Sequence, residues 1–182
     1  SDLTAKTEFV ENVHDLSAAV SRIGLPVFIK GDVQSQKDDG WEACVAHTLK
    51  ESKEIATRLI DRYHLSTGWI AVRELLELQH ERLHNGFPIS REFRVSVFEG
   101  QVVGLSWYWP VADSLAELNR AERDSITSLA EEAADRVNVP LLVIDIGQLK
   151  SGDWVVIEIG DLQSAGLMDT DRRALVEALI SK

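Results

Sequence analysis

Apolar and polar positions divide the chain into stretches with helical and with strand-like spacing. Residues 15–23 carry Leu16, Ala19, Val20 and Ile23 at helical intervals, which predicts an amphipathic helix closed by Gly24. Pro26 then opens a strand, PVFIKG, and the polar, turn-rich DVQSQKDDG after it predicts a loop. A helical stretch is expected over 41–63, broken near His47, followed by a compact strand, WIAVREL, over 69–75. ELQHERLHNGFPIS has no apolar period and reads as irregular. Residues 91–109 predict a β-hairpin: EFRVSVF alternates, Glu99-Gly100 makes the turn, and QVVGLSWYW returns. A long amphipathic helix is expected over 113–137, a second hairpin over 141–161, and a last helix over 169–180 with Asp169 at its start. The order is α+β with mainly antiparallel strands and no run of βαβ units.

The second hairpin, LLVIDIGQLKSGDWVVIEIGD, is the most apolar in the chain, yet it holds Asp145 and Glu158 within its strands. If Ser151-Gly152 is the tip of an even-numbered turn, Asp145 lies directly opposite Glu158 and both leave one face. Like charges so placed destabilise a sheet by up to about 1 kcal/mol. Either that face is open to water, or a divalent cation such as Mg²⁺ sits between the carboxylates. An odd-length turn would send the two groups to opposite faces.

Cations show a related pattern on the earlier strands. Lys30 ends VFIK before Gly31, where a backbone can approach a ligand closely, and Lys37 lies in the following loop. Glu92 and Arg94 are two apart on one strand and share a face. Arg73 is embedded in an apolar strand, where an unpaired guanidinium is costly. Each can serve as a salt-bridge partner; together, cations in one half and acids in the other suit phosphates with a bridging metal.

Composition narrows the classes. The 182 residues suffice for one large domain or two small lobes. A formal charge of −11 argues against a nucleic-acid or anionic-membrane partner. Cys44 is the single cysteine, so no intrachain disulfide forms, and a reducing cytoplasmic location is expected. Its own place is expected to be that of a small buried hydrophobe. No apolar run approaches the roughly 20 residues of a membrane span. His80 and His84 are expected in a solvated loop rather than as metal ligands, and the Trp107, Tyr108, Trp109 cluster as core or interface rather than a substrate platform.

With these motifs in order, the chain resembles the ATP-grasp superfamily. IGLPVFIKG is similar to the family's strand ending in a phosphate-touching lysine, and WIAVRELLEL to the strand and hinge that read adenine. REFRVSVFEGQVV resembles its acid-then-strand hairpin, and VIDIGQLKSGDWVVIEIGDLQSAGL its closing Mg²⁺-binding strands. Two branches resemble it further. One is a mainly bacterial and phage clade named for one arginine and two lysines, for which Lys30, Lys37 and either Arg73 or Arg94 would be the set. The other is the eukaryotic ATP-grasp chaperone that assembles a translation initiation factor.

The resemblance implies two lobes, about 1–74 and 75–182, clamping Mg-ATP within a single ATP-grasp unit. It implies phosphate contacts from Lys30 and Lys37, and an adenine site at Glu74, Leu75 and Leu76, with Arg73 beside it. Glu92 would lie near the ribose and Arg94 at the γ-phosphate, with Arg94 and Lys37 as the catalytic cations. Asp145 and Glu158 would bind Mg²⁺. Many members place Asn two residues after the second acid, where this chain has Gly160, so Asp161 is the expected substitute. The usual N-terminal lobe has no counterpart ahead of Ser1, so the chain reads as the ATP-binding portion of a longer protein.

The activity implied is an ATP-dependent carboxylate–amine or carboxylate–thiol ligase working through an acyl-phosphate, with an unidentified small-molecule or peptide substrate. The alternative is an ATP-binding assembly chaperone or protein-binding module with little turnover and a protein partner. Phosphate transfer without ligation is a third reading.

Overall fold

The computed structural model describes residues 2–162 and 172–180. The architecture is α+β, divided between two compact units. The first comprises Ala5–Leu76 and Arg82–Pro88; the second comprises Asp2–Thr4, Glu77–Glu81 and Ile89 onward. Among the described residues, no helix is long and apolar enough to cross a membrane.

The first unit is built on an antiparallel sheet of β1 (Thr7–Val10), β2 (Val27–Gly31), β3 (Val45–Ala46) and β4 (Ile70–Glu74), in the order β1-β4-β2-β3. Helices α1 (Leu16–Ile23) and α2 (Leu49–Ile60) bury Leu16, Ala19, Val20, Ile55, Ala56 and Leu59 against Val10, Val27, Ile29, Ile70 and Val72. Gly24 closes α1 at φ 92°, its N–H donating to the Val20 carbonyl at 2.8 Å.

The helix expected over 41–63 is shorter than its sequence period suggests. Trp41–Ala43 form one 3-10 turn, and Val45–Ala46 pair with Phe28 and Val27 as β3. α2 starts only at Leu49 because Thr48 caps it: the Thr48 hydroxyl accepts from the Glu51 N–H, and the Glu51 carboxylate accepts from the Thr48 and His47 N–H groups.

Residues 77–90 are also more regular than expected. β5 (His80–His84) and β6 (Phe87–Ser90) form a hairpin around Asn85-Gly86, whose φ values of 50° and 76° suit a primed two-residue turn. All five β5 residues are exposed, so no alternation marks the strand in the sequence. His80 and His84 therefore lie on a strand, where residues four apart are roughly 13 Å from each other.

The second unit carries the antiparallel sheet β10-β9-β7-β8, made of β7 (Glu92–Phe98), β8 (Gln101–Trp107), β9 (Leu141–Gln148) and β10 (Trp154–Gly160). Glu99 and Gly100 turn the first of its hairpins at φ 46° and 76°, as expected. Helix α3 (Arg120–Val137) lays Ile126, Ala130, Ala133 and Ala134 on Phe93, Val95, Leu142, Ile144 and Ile146. It begins seven residues later than the expected 113, because Asn119 and Glu122 form its capping box while Asp113 caps a separate 3-10 turn, Ser114–Ala116. The last helix, α4 (Arg172–Ile180), packs on β8. The Asp169 start expected for it lies outside the described residues.

Arg91 ties α3 to the sheet. Its buried guanidinium donates to Glu122, Gln148 and the carbonyls of Leu115 and Glu117, and lies 5.4 Å from the Trp154 ring centroid. That pairing holds the Glu122 carboxyl below its ordinary range.

Candidate functional site

Strand alternation sends Phe93, Val95, Leu142, Ile144 and Ile146 toward α3, and Glu92, Arg94, Ser96 and Asp145 to the opposite face. There the register aligns one row across all four strands: Ser106 on β8, Arg94 on β7, Asp145 on β9 and Glu158 on β10. At about 4.8 Å per strand the row spans roughly 14 Å.

Asp145 and Glu158 reach this register by an unexpected route. Near the turn, Trp154 pairs with Gln148 and Val156 with Ile146, which is the odd register that would have sent Glu158 toward α3. A bulge at Ile157 then slips the pairing by one and turns Glu158 back to face Asp145. Gly147 makes room for that bulge, since a Cβ there would lie 3.0–3.2 Å from the Leu78 and Ile157 side chains.

Arg94 and Asp145 are joined through two hydrogen bonds, Nε to Oδ1 and Nη2 to Oδ2, both 2.8 Å. The two side chains are 11% and 9% exposed, so the pair is nearly dry. Hydrogen bonding to Asp145 raises the Arg94 pKa further above its usual range, and the charges of Tyr108 and Glu158 add to it. The Tyr108 ring stands 5.0 Å from the guanidinium and packs edge-on against Trp109, whose Nε1 donates to the Ser90 carbonyl. Trp107 is buried against Phe93. Glu92 shares the Arg94 face one step along β7, is 2% exposed, and accepts a hydrogen bond from the Ser90 hydroxyl. Glu158 is exposed.

Gly160 is on the same face as Glu158, opposite Val143, with open space where a Cβ would stand. Asp161 follows the end of β10 and is exposed. Among the described residues, no group of three or more His, Cys, Asp or Glu side chains is placed to hold a metal ion. Among the described residues, Asp145 and Glu158 are the acids paired across β9 and β10.

In the first unit, Lys30 and Arg73 occupy the sheet face away from the helices. Lys30 pairs with Ala71 and Arg73 with Phe28, which makes the two cations diagonal neighbours about 7–8 Å apart. Phe9, 60% exposed, shares this face in the row Phe9–Ala71–Lys30. Lys37 is in a 3-10 turn, its Nζ 5.7 Å from the Phe87 ring centroid, and Trp41 packs on the same ring at 5.4 Å. Glu74 ends β4, its N–H donating to the Lys6 carbonyl and its carboxylate accepting from the Lys6 N–H, while Leu75 and Leu76 follow half-buried.

The close approach expected at Gly31 is made to the protein itself. A Cβ there would stand 1.9 Å from the Leu65 carbonyl oxygen, and the same oxygen accepts from the Val33 and Gln34 N–H groups. Cys44 is wholly buried, as expected, and burial pushes its thiol up to about 11.

A family profile matches residues 7–179: the ATP-grasp domain, family 3 of the clade named for one arginine and two lysines. The chain belongs to the ATP-grasp superfamily. No curated protein matches this ATP-grasp chain.

Solved structures share the fold at low identity. D-alanine–D-alanine ligase from Bacillus anthracis, complexed with ATP, is 13% identical at a TM-score of 0.62, covering 97% of this chain and 54% of its own. The ATP-grasp ligase PsnB, complexed with minimal precursor, Mg and ADP, is 16% identical at 0.55, covering 98% and 52%. C-terminally truncated Cdc123 from Schizosaccharomyces pombe is 15% identical at 0.61, covering 88% and 79%. The chain thus spans about half the length of the two ligases. The ATP-grasp fold carries nucleotide binding with it.

Three features of the site are not legible in the sequence. The contact of Arg94 with Asp145 joins strands far apart in the chain, and the bulge at Ile157 has no strong local signal. Ser106 enters the row only through the order of the strands.

Proposed function

We propose that this ATP-grasp chain binds Mg-ATP for an ATP-dependent ligation of a carboxylate to an amine or thiol. The observation that supports it is the cross-strand row in which Arg94, Asp145 and Glu158 stand side by side. Two facing carboxylates suit Mg²⁺, a hard cation that is held by one or two carboxylates together with substrate phosphates. When bound, the metal supplies charge neutralisation at the transferred phosphoryl group.

In this reading Asp145 and Glu158 hold the metal, and Arg94 turns its fork of donors to the γ-phosphate. Lys30 and Lys37, with Arg73 beside Lys30, bind phosphate in the first unit. Glu74, Leu75 and Leu76 read adenine at the end of β4, and Glu92 lies near the ribose. The acid substrate's carboxylate takes the γ-phosphoryl group, and the amine or thiol displaces phosphate from the acyl-phosphate so formed. Asp161, beyond the end of β10, has the weakest place in the metal set.

A second reading is a nucleotide-binding assembly chaperone or protein-binding module with little turnover. Gly160 favours it, because the position beside Glu158 offers no third oxygen ligand.

Calorimetry of Mg-ATP binding tests the site: Asp145→Asn and Glu158→Gln should each weaken it at least tenfold, and unchanged affinity would sink the metal assignment. ADP release on adding amino acids or peptides separates the two readings. Tight nucleotide binding without ADP under any acceptor favours the chaperone.

A further inference from the structure

Both oxygens of Asp145 are engaged by one guanidinium in a nearly dry setting. We infer that Arg94 occupies Asp145 in place of the metal when nucleotide is absent, so that Mg²⁺ and the nucleotide phosphates enter together rather than separately. The inference rests on reading Asp145 and Glu158 as the metal carboxylates.

A metal ion arriving alone has to displace two charge-assisted hydrogen bonds. It would also leave Arg94 beside a divalent cation with its bidentate partner withdrawn, in a site too dry to screen the repulsion fully. Phosphate changes that balance. Its oxygens match the guanidinium fork as a carboxylate does, so Arg94 exchanges one bidentate partner for another while Asp145 passes to the metal. Tyr108 keeps the guanidinium in place through the exchange, since its ring centroid stands 5.0 Å from Arg94 Cζ and that cation–π contact does not depend on which anion Arg94 holds. Glu158, one strand further and exposed, is the carboxylate through which the metal first approaches. Each ligand then raises the affinity of the other, and the coupling passes through a single side chain.

The probe is Mn²⁺ alone, followed by electron paramagnetic resonance with the full chain. Arg94→Gln is expected to bind nucleotide-free Mn²⁺ about tenfold more tightly than the wild type, within the usual range of such couplings. The gain should vanish in Arg94→Gln/Asp145→Asn. Because Arg94→Gln strands a buried carboxylate, circular dichroism checks its fold, and the wild type supplies a second readout. Its Arg94 Nε–H resonance should stay in place with Mg²⁺ alone and shift when Mg²⁺ and a non-hydrolysable ATP analogue are added together. Equal Mn²⁺ affinity in wild type and Arg94→Gln overturns the inference, as does a full shift with Mg²⁺ alone. Asp145→Asn with wild-type affinity for the Mn²⁺–nucleotide complex overturns the metal reading beneath it. Loss of that affinity with no gain in Arg94→Gln leaves the metal reading standing and removes only the exchange.

Discussion

Arg94 and Asp145 stand directly opposite each other on β7 and β9 and share two hydrogen bonds of 2.8 Å, with Glu158 next in line on β10. Asp145 therefore has a cation on one side and an anion on the other. The pair is a structural tie and, in the proposed function, a store of ligand-binding groups at once.

The structural half is measurable without any ligand. Arg94→Ala or Asp145→Ala alone is expected to cost about 3–5 kcal/mol, because each strands the partner charge in a nearly dry place. Arg94→Met combined with Asp145→Leu should cost far less than the sum, since no buried charge is left. Urea denaturation gives the three values, and single costs that simply add would show that the groups are not coupled.

Gly160 offers a gain-of-function test. It shares the face of Glu158, its φ lies outside the left-handed region, and open space surrounds the place of a Cβ. Gly160→Asn should add an oxygen ligand and tighten Mg-nucleotide binding severalfold, about 1 kcal/mol at ordinary hydrogen-bond and ligand strengths. The melting temperature should hardly move. Calorimetric affinity at or below that of the wild type would show that this position does not face the metal.

Parts of this site are readable without the fold. Alternation in EFRVSVF and QVVGLSW places the first hairpin and its Glu99-Gly100 turn, because period-two burial and a positive-φ turn are local properties. The opposition of Asp145 and Glu158 is what an even turn predicts. It arises instead from an odd register corrected by the Ile157 bulge, so two departures cancel. Gly147, which accommodates the bulge, is its one trace in the sequence. The bond from Arg94 to Asp145 is hidden because 51 residues separate partners that only strand order brings together. In contrast, the Asn85-Gly86 turn carries its own signal, and the uniformly exposed β5, with no apolar alternation, masks it. Thr48 and Glu51 likewise spell out the start of α2 inside a longer helical period.

The tie between Arg91 and Glu122 predicts a pH dependence. Hydrogen bonding to Arg91 lowers the Glu122 pKa from 4.5 in the folded state, opposed by a smaller effect of burial. A carboxyl with a depressed folded pKa binds its proton more weakly in the native than in the unfolded chain. Its contribution is thus complete above 4.5 and is lost as pH falls through the folded value. The difference in melting temperature between wild type and Glu122→Gln should be constant from about pH 6 to 8 and shrink below about pH 4.5. A difference that persisted unchanged to pH 3 would mean that the Glu122 charge contributes nothing to it.

Gly31 follows the phosphate-binding candidate Lys30, and two explanations of a glycine there make opposite predictions. One holds that a ligand must approach the backbone; the geometry shows Leu65 approaching it instead, 1.9 Å from the position of a Cβ. Since the obstacle is a backbone carbonyl, it cannot swing aside like a flexible side chain. Gly31→Ala should push β2 and the turn at Leu65 apart and weaken the hydrogen bonds from Val33 and Gln34 to the Leu65 carbonyl. The expected cost is about 1–3 kcal/mol or more, the range of overpacked sites. Nucleotide affinity, measured at a temperature where the variant is still folded, should fall much less than the stability does. A variant with the wild-type melting temperature and lost nucleotide binding would assign the glycine to the ligand after all.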